Sequence, residues 1–177
     1  MRHIITFDVE TQHTASEVGG WSNIRDMRLA VAVTYDAADN VYRDYTEQDV
    51  AVLISTLRGA DLVVGYNVLR FDYEVLRAYT DDPLTGIQTV DMLQDLYRTL
   101  GWRPKLDDIA TATLGEAKSA NGLQAVRWFR EGKLDQVIAY CRRDVEVTWK
   151  VYEFGRTNGF VKYRDKRWHE HMVPVKW

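Results

Sequence analysis

The pattern of apolar segments changes early in the chain, and this change restricts the fold more than any other feature. Three short β-branched segments come first, at residues 3–8, 29–35 and 41–45, and they predict consecutive strands of an antiparallel meander. The second of these segments is apolar throughout and is predicted to be buried on both faces. After Thr46, short apolar runs alternate with helical spacing. The sequence therefore predicts an α/β fold with a mixed sheet flanked by helices.

Local signals place the individual elements. Residues 11–26 contain glycine and polar residues without periodicity, which predicts a long loop. Thr46 and Asp49 have the spacing of a capping box, ahead of a helix that Gly59 ends. Asp91 is expected to cap its own helix. The remaining predictions are strands at 61–65 and 87–90 and helices at 70–79, 91–100, 106–114, 123–130 and from Leu134 onward.

Composition and charge describe an ordinary globular chain. The 177 residues are 46% hydrophobic and 28% charged, and alternation returns at 160–177 as a hairpin that turns near Asp165. We therefore expect residues 1–177 to form a single domain with a C-terminal hairpin at about 159–177. A lone Cys141 excludes a disulfide framework and a cysteine-rich zinc site. No apolar run has the length of a membrane span and the N-terminus lacks a signal-peptide pattern, so a cytoplasmic location is expected.

Acidic residues fall in three blocks that a metal site could use. Asp8 and Glu10 lie two apart on the first predicted strand and so share a face; the alternative is an exposed strand end. Asp72 follows a buried strand, where ligand sites form in open α/β sheets, although an acid there also suits a helix start. Tyr140 and Asp144 are i, i+4 neighbours beside the apolar stripe of the longest helix. Their alternative is a half-buried ring and a surface ion pair.

Taken in order, the blocks FDVET, GYNVLRFD and YCRRDVEVT resemble the three sequence blocks of the DEDD 3′-to-5′ exonucleases. These enzymes are the DnaQ-like branch of the RNase H-like superfamily, and the Tyr-x-x-x-Asp spacing is similar to that of their tyrosine subgroup (DEDDy). The resemblance continues through LDDIA and LGEAK to the final hairpin, and looks closest to the YprB-like ribonuclease-H-like group, often met near or within helicase-like proteins. It implies an RNase H-like fold with a mixed sheet of five or more strands.

The resemblance also implies an activity and a metal site. The activity is removal of nucleotides from a 3′ end of DNA or RNA, with two Mg²⁺ or Mn²⁺ ions as cofactors. By resemblance, Asp8 bridges both ions, Glu10 and Asp144 complete the nucleophile-side site, and Asp72 holds the second ion through water. Four converging carboxylates repel one another unless divalent cations neutralise them, and all-oxygen ligands suit these two metals. Tyr140 is expected to orient the attacking water, because a tyrosine is neutral at pH 7.

The formal charge of −3 at first argues against nucleic acid as a partner. Two divalent ions would add four positive charges and bring the total to +1. We therefore expect nucleic-acid binding that is weak, metal-dependent and sensitive to salt. Two alternatives stay open at this point: a structure-selective endonuclease or RNase on the same fold, and a non-catalytic nucleic-acid-binding module that partners a helicase.

Five residues are weaker candidates for substrate contact. Thr11 follows the first acidic block. Trp21 could stack on a base, or it could pack its own loop. Asn67 and Phe71 flank the third acid and by resemblance contact the substrate terminus; otherwise they are a turn residue and a core ring. Lys118 could reach a phosphate, but it also fits a solvated loop.

The C-terminal segment has a charge and a histidine pattern of its own. Residues 156–177 contain six basic and two acidic residues together with aromatic rings. Such a hairpin could bind phosphates and bases, or it could be a charged edge that resists aggregation. His169 and His171 could bind a metal through one face of a strand, although edge-strand histidines are common and no third ligand is obvious.

Overall fold

The protein folds around a five-stranded mixed sheet. The structure is a computed structural model that describes residues 2–116 and 122–177. The strand order is β3-β2-β1-β4-β5, with β1 antiparallel to β2 and parallel to β4. The predicted meander and the mixed sheet flanked by helices are confirmed. The strands are β1 (Ile4–Thr11), β2 (Leu29–Asp36), β3 (Val41–Thr46), β4 (Leu62–Gly65) and β5 (Thr89–Asp91).

Six α-helices are described, and a small second sheet follows the last of them. The helices are α1 (Val50–Arg58), α2 (Asp72–Leu76), α3 (Met92–Leu100), α4 (Leu106–Leu114), α5 (Gly122–Arg130) and α6 (Leu134–Asn158). The antiparallel strands β6 (Phe160–Arg164) and β7 (Glu170–Pro174) form the C-terminal hairpin, which packs on α4 and α6. No helix in the described part of the chain combines the length and apolar character needed to cross a membrane.

The second strand shows why helices cover both faces of the sheet. All eight residues of β2 are buried. Ala32 packs in one core cluster with Leu53 of α1, whereas Val31 and Val33 pack in another with residues of α6. Because side chains alternate across a strand, an apolar run of this kind needs a packed layer on each face. On β1 the same alternation points Phe7 and Val9 toward α1 and leaves Asp8 and Glu10 for the α6 face.

Two local predictions are confirmed and two need correction. Thr46 and Asp49 form the expected capping box, and the Asp91 carboxylate accepts a hydrogen bond from the Gln94 N–H at the start of α3. The helix predicted at 70–79 is wrong in length, since α2 spans only Asp72–Leu76 and tight turns follow it. The loop predicted at 11–26 contains a kinked 3-10 helix over Trp21–Met27.

Candidate active site

Carboxylates from distant parts of the sequence meet at the carboxyl end of β1. One carboxylate oxygen of Asp8, one of Glu10 and one of Asp144 all lie within 4.8 Å of one another. Asp8 and Glu10 are two residues apart on β1, and Asp144 comes from α6, which packs across β1 and β2. The period of two along the strand therefore aims both β1 acids at the same helix.

Asp72 is attached to β1 by a hydrogen bond from the backbone. Pairing with β4 involves only Ile4–Thr6 of β1, so the strand continues beyond its partner. There the Val9 N–H donates to Asp72 Oδ1 at 3.0 Å. Asp72 is buried, and this bond places its carboxyl group beside the strand segment that carries Asp8 and Glu10. All four acids of the predicted set therefore approach the same stretch of β1.

Three acids of the cluster lack, among the described residues, the counter-charges that buried carboxylates need. No described lysine or arginine forms an ion pair with Asp8, Glu10 or Asp72. Burial, and then the negative charge of Asp72, raises the pKa of Asp8 well above its ordinary value. Burial, and then Asp144, does the same to the pKa of Glu10. Burial raises the pKa of Asp72 to about 8, despite backbone hydrogen bonds that favour its charged form. The cluster is poorly satisfied by the protein alone.

Tyr140 lies over this cluster on α6, one turn before Asp144. Its hydroxyl is hydrogen-bonded to Asp144, and the edge of Trp128 contacts its ring with centroids 6.3 Å apart. Burial, and then the charge of Asp144, raises the pKa of Tyr140 above its usual range. The phenol therefore keeps its proton at neutral pH and can only donate or accept hydrogen bonds there.

The cluster could hold a hard divalent cation. Its donor atoms are carboxylate oxygens, which suit Mg²⁺, Mn²⁺ or Ca²⁺ better than softer metals. Cys141 does not change this donor set, because burial raises the pKa of its thiol and its Sγ donates a hydrogen bond to the Asp8 carbonyl at 3.3 Å. A bound cation would also relieve the repulsion that raises the carboxyl pKa values.

The weaker candidates occupy different positions around the cluster. Trp21 is 71% exposed, and its ring meets the half-buried ring of Phe71 edge-on at 6.2 Å. Trp21 lines a cavity of about 570 Å³ together with Arg25 and Arg70. Thr11 is buried and donates its hydroxyl proton to the His13 carbonyl.

Asn67 and Lys118 complete the set of weaker candidates. Asn67 has a left-handed backbone with φ 72°, and its side-chain oxygen accepts a hydrogen bond from Arg103. Asn67 and Arg103 line a smaller cavity of about 220 Å³ together with Arg70. Lys118 lies outside the described residues. Substrate contact by any of these residues stays a prediction.

Sequence reasoning missed the residues that hold the Asp72 segment in place. Beyond capping α3, the Asp91 carboxylate accepts hydrogen bonds from the Asn67 and Leu69 N–H groups at 2.9 and 3.0 Å. Gly65 lets Val68 approach β4 closely, since a Cβ there would lie 2.1 Å from Val68 Cγ1. The sequence did contain a signal for this contact. Asp91 ends one predicted parallel strand, and the turn after the neighbouring parallel strand comes to the same edge of the sheet.

The histidine pair does not join the carboxylate cluster. His171 lies 3.1 Å and His169 3.5 Å from the same Asp165 oxygen, and the His171 ring stacks on Tyr163. Only His171 belongs to β7. In the described part of the chain, the acidic group of Asp8, Glu10 and Asp144 is the one set of three close metal-ligand atoms.

A mixed sheet with its acids gathered on the first, central strand and on a helix across it defines an RNase H-like protein. A family model described as the RNase_H superfamily matches residues 5–154, and the chain belongs to this superfamily. The predicted RNase H-like fold is therefore confirmed.

Among solved structures, the chain is similar to the family B DNA polymerase from the hyperthermophilic archaeon Pyrobaculum calidifontis. The TM-score is 0.65 at 15% sequence identity, and the match covers 88% of this chain and 24% of the polymerase chain. This chain thus spans about a quarter of that polymerase's length, and the likeness is one of fold. A comparison with curated proteins gives no match.

Proposed function

We propose that this protein is a metal-dependent 3′-to-5′ exonuclease that hydrolyses phosphodiester bonds of DNA or RNA. The observation that carries the proposal is the convergence of the Asp8, Glu10 and Asp144 carboxylates within 4.8 Å, with Asp72 bonded to the strand between the first two. Membership of the RNase H superfamily supports a nuclease. The order of the acids and the Tyr140–Asp144 pair favour the DEDDy subgroup and a YprB-like relative.

In this proposal the four acids hold two Mg²⁺ or Mn²⁺ ions. When bound, such ions activate a water molecule and stabilise the leaving oxygen of the phosphodiester. The protein contributes the placement of the ligands, which β1 and α6 fix as rigid elements, and a partly dry surrounding. This arrangement explains why a chain would keep buried carboxylates that destabilise it when no cation is present.

Tyr140 has a positioning task in this proposal. Its protonated hydroxyl already bonds to Asp144, so it can share a hydrogen bond with a water molecule held beside that carboxylate. Contact with Trp128 restricts the ring. Proton abstraction by Tyr140 is disfavoured, because its pKa is raised and not lowered.

The test uses single-stranded DNA and RNA oligonucleotides labelled at one end or the other and incubated with Mn²⁺. Stepwise shortening of the 5′-labelled strand, with early release of the 3′ label as a mononucleotide, supports a 3′-to-5′ exonuclease. Internal fragments would instead identify an endonuclease on the same fold. Parallel reactions in EDTA provide the metal control. A lack of hydrolysis of any substrate with Mn²⁺ or Mg²⁺ contradicts the proposal.

A further inference from the structure

A third cavity lies between the C-terminal hairpin and the helices beneath it. Its volume is about 1060 Å³, and its walls come from three places: Trp102 after α3, Asp108 and Ala112 of α4, and Tyr163 and Trp168 of the hairpin. None of the lining residues belongs to the carboxylate cluster. The family match ends at residue 154, so the hairpin lies outside the matched segment.

The aromatic rings of this cavity are unusually open to solvent. Trp168 is 78% exposed and Trp102 is 43% exposed, and the Trp102 ring meets Tyr163 edge-on at 5.5 Å. Trp168 also has a left-handed backbone with φ 67°, which is rare and costly for a bulky side chain. A turn that only reverses the chain does not need a large exposed indole in a strained backbone conformation. Such an arrangement is more typical of a surface that contacts a ligand.

The turn is held by one acid, whose hydrogen-bonding capacity is used within the turn. Asp165 Oδ1 accepts hydrogen bonds from the Arg167 and His169 N–H groups, and its other oxygen faces His171. The Trp168 N–H donates to the Asp165 carbonyl at 2.9 Å. Trp168 is therefore presented by a defined turn, and Asp165 is committed to that turn.

The hairpin has basic groups to spare for an anionic ligand. Lys162 and Arg164 both pair with Glu170. Within the described residues, Lys166 and Arg167 are exposed and have no carboxylate partner. Asp108 on the α4 wall lies among the lining residues and offers an acceptor for a base amino group. Exposed indoles beside unpaired cations match the alternation of bases and phosphates in a single strand.

We propose that this cavity is a second binding site for single-stranded nucleic acid, where bases stack on Trp168 and Trp102 and phosphates contact Lys166 and Arg167. The choice of ligand rests on the proposed function, while the site itself rests on the hairpin geometry. Such a site would hold the strand apart from the end that is being hydrolysed. Binding at the hairpin would not need divalent metal, in contrast to the metal-dependent binding expected from the sequence.

The experiment measures binding of a fluorescein-labelled thirty-nucleotide single strand, as DNA and as RNA, in EDTA. Without divalent ions the acidic cluster repels phosphate, and the part of the remaining binding that a hairpin substitution removes reports the hairpin. Trp168→Ala should weaken it about five- to a hundredfold, the loss expected for one stacked base, whereas Trp168→Phe should keep most of it. Arg167→Ala should lower the slope of the logarithm of the binding constant against the logarithm of salt concentration by about one, the value for one phosphate contact. Val52→Ala, at another exposed apolar residue, is the matched control and should bind normally.

Photocrosslinking locates the contact directly. A strand that contains 5-bromouracil should crosslink in EDTA to Trp168, Tyr163 or Trp102, as mapped by mass spectrometry. Unchanged affinity of Trp168→Ala, or crosslinks confined to other regions, overturns the proposal. It is also overturned if sedimentation shows a dimer that Trp168→Ala dissociates while affinity for the strand stays the same, because the surface then contacts a second copy.

The proposed nuclease activity is scored separately, on the same samples with Mn²⁺. Hairpin crosslinks without hydrolysis support the second site and contradict the exonuclease. Hydrolysis without hairpin crosslinks supports the exonuclease and contradicts the second site.

Discussion

The carboxylate cluster and the C-terminal hairpin handle charge in opposite ways. In the cluster, Asp8, Glu10 and Asp72 are largely withdrawn from water, and no described basic side chain pairs with them. In the hairpin, exposed charges of both signs lie together, and Glu170 pairs with Lys162 and Arg164. Buried charge of one sign opposes folding, whereas exposed pairs contribute little either way. The fold therefore tolerates an energetic cost, the burial of like charges, at the carboxylate cluster. A cation-dependent function is expected there.

The two regions also differ in how they are assembled. The cluster joins residues from β1, α2 and α6 that are far apart in sequence, whereas the hairpin turn is built within residues 165–169. A cluster assembled over long distances depends on the whole core, and the hairpin depends mainly on its own turn. Substitutions in the core should therefore affect the cluster, whereas only substitutions in or near the turn should affect the hairpin.

The largest effect is expected when a ligand of the cluster loses its charge. Asp8→Asn or Asp144→Asn should reduce turnover about a thousandfold or more, because each would remove an anionic ligand of the proposed metal site and with it stabilisation of the transition state. Steady-state hydrolysis of a 5′-labelled strand measures the effect. Asp135→Asn, at an exposed position on the same helix, is the matched control. Near-normal turnover in either cluster variant would contradict the view that the cluster carries the cation-dependent function.

Removal of one hydroxyl from the cluster should have a smaller effect. Tyr140→Phe is expected to lower turnover about ten- to a hundredfold and leave KM nearly unchanged, since a positioning hydrogen bond is lost while the carboxylates remain. The pH dependence of turnover distinguishes positioning from base catalysis. A positioning role predicts the same profile in both proteins. Loss, in the variant, of a limb in which turnover rises with pH would instead indicate proton abstraction by Tyr140.

Gly65→Ala tests whether the site depends on close packing behind it. The new Cβ would lie 2.1 Å from Val68 Cγ1, so we expect a loss of about 1–3 kcal/mol of stability from overpacking. Turnover should fall as well, because Val68 leads into Asp72. Urea unfolding and the hydrolysis assay measure both effects. Gly86→Ala is the control, since no atom lies within 4 Å of its added Cβ. Equal behaviour of the two variants would contradict this view.

The buried acids should make the metal-free protein less stable as pH rises. The folded-state pKa of Asp72 is raised from 3.8 to about 8, so its protonated form favours folding below about pH 4 and this contribution is lost as pH approaches 8. In EDTA, Tm should therefore fall by several degrees between pH 5 and 8. Asp72→Asn should reduce the fall, and Mn²⁺ should reverse it. A Tm that is flat or rises across this range contradicts the proposed electrostatics.

The smallest effect is expected in the hairpin, with the opposite dependence on pH. The hydrogen bond with His171 lowers the pKa of Asp165 from 3.8 to about 2. Its contribution is therefore present above about pH 4 and is lost as pH falls through about 2. The indole NMR signal of Trp168 should shift across this range in the wild type and much less in Asp165→Asn. An identical titration in both proteins would show that Asp165 does not hold the turn.

Periodicity placed the parts of the site, and the resemblance of the three ordered blocks to the DEDD exonucleases joined them into one site. The spacing of Asp8 and Glu10 fixed a common face once the segment was assigned to a strand, and the spacing of Tyr140 and Asp144 did the same on a helix. The helix at 70–79 was overestimated at both ends, because propensity does not register tertiary contacts. The left-handed Asn67 and the hydrogen bonds to Asp91 hold a turn before Asp72, and the backbone forms tighter turns after Leu76.

By itself, the sequence determined the strands, the main helices, the order of the acids and the excess of basic residues in the tail. Those features depend on neighbours within a turn or a few residues. The tertiary structure decided that Asp72 meets the Val9 N–H, that Asp8, Glu10 and Asp72 have no basic partner among the described residues, and that Trp168 projects into solvent beside a cavity. Such contacts depend on how distant segments pack, and local spacing carries no information about that packing.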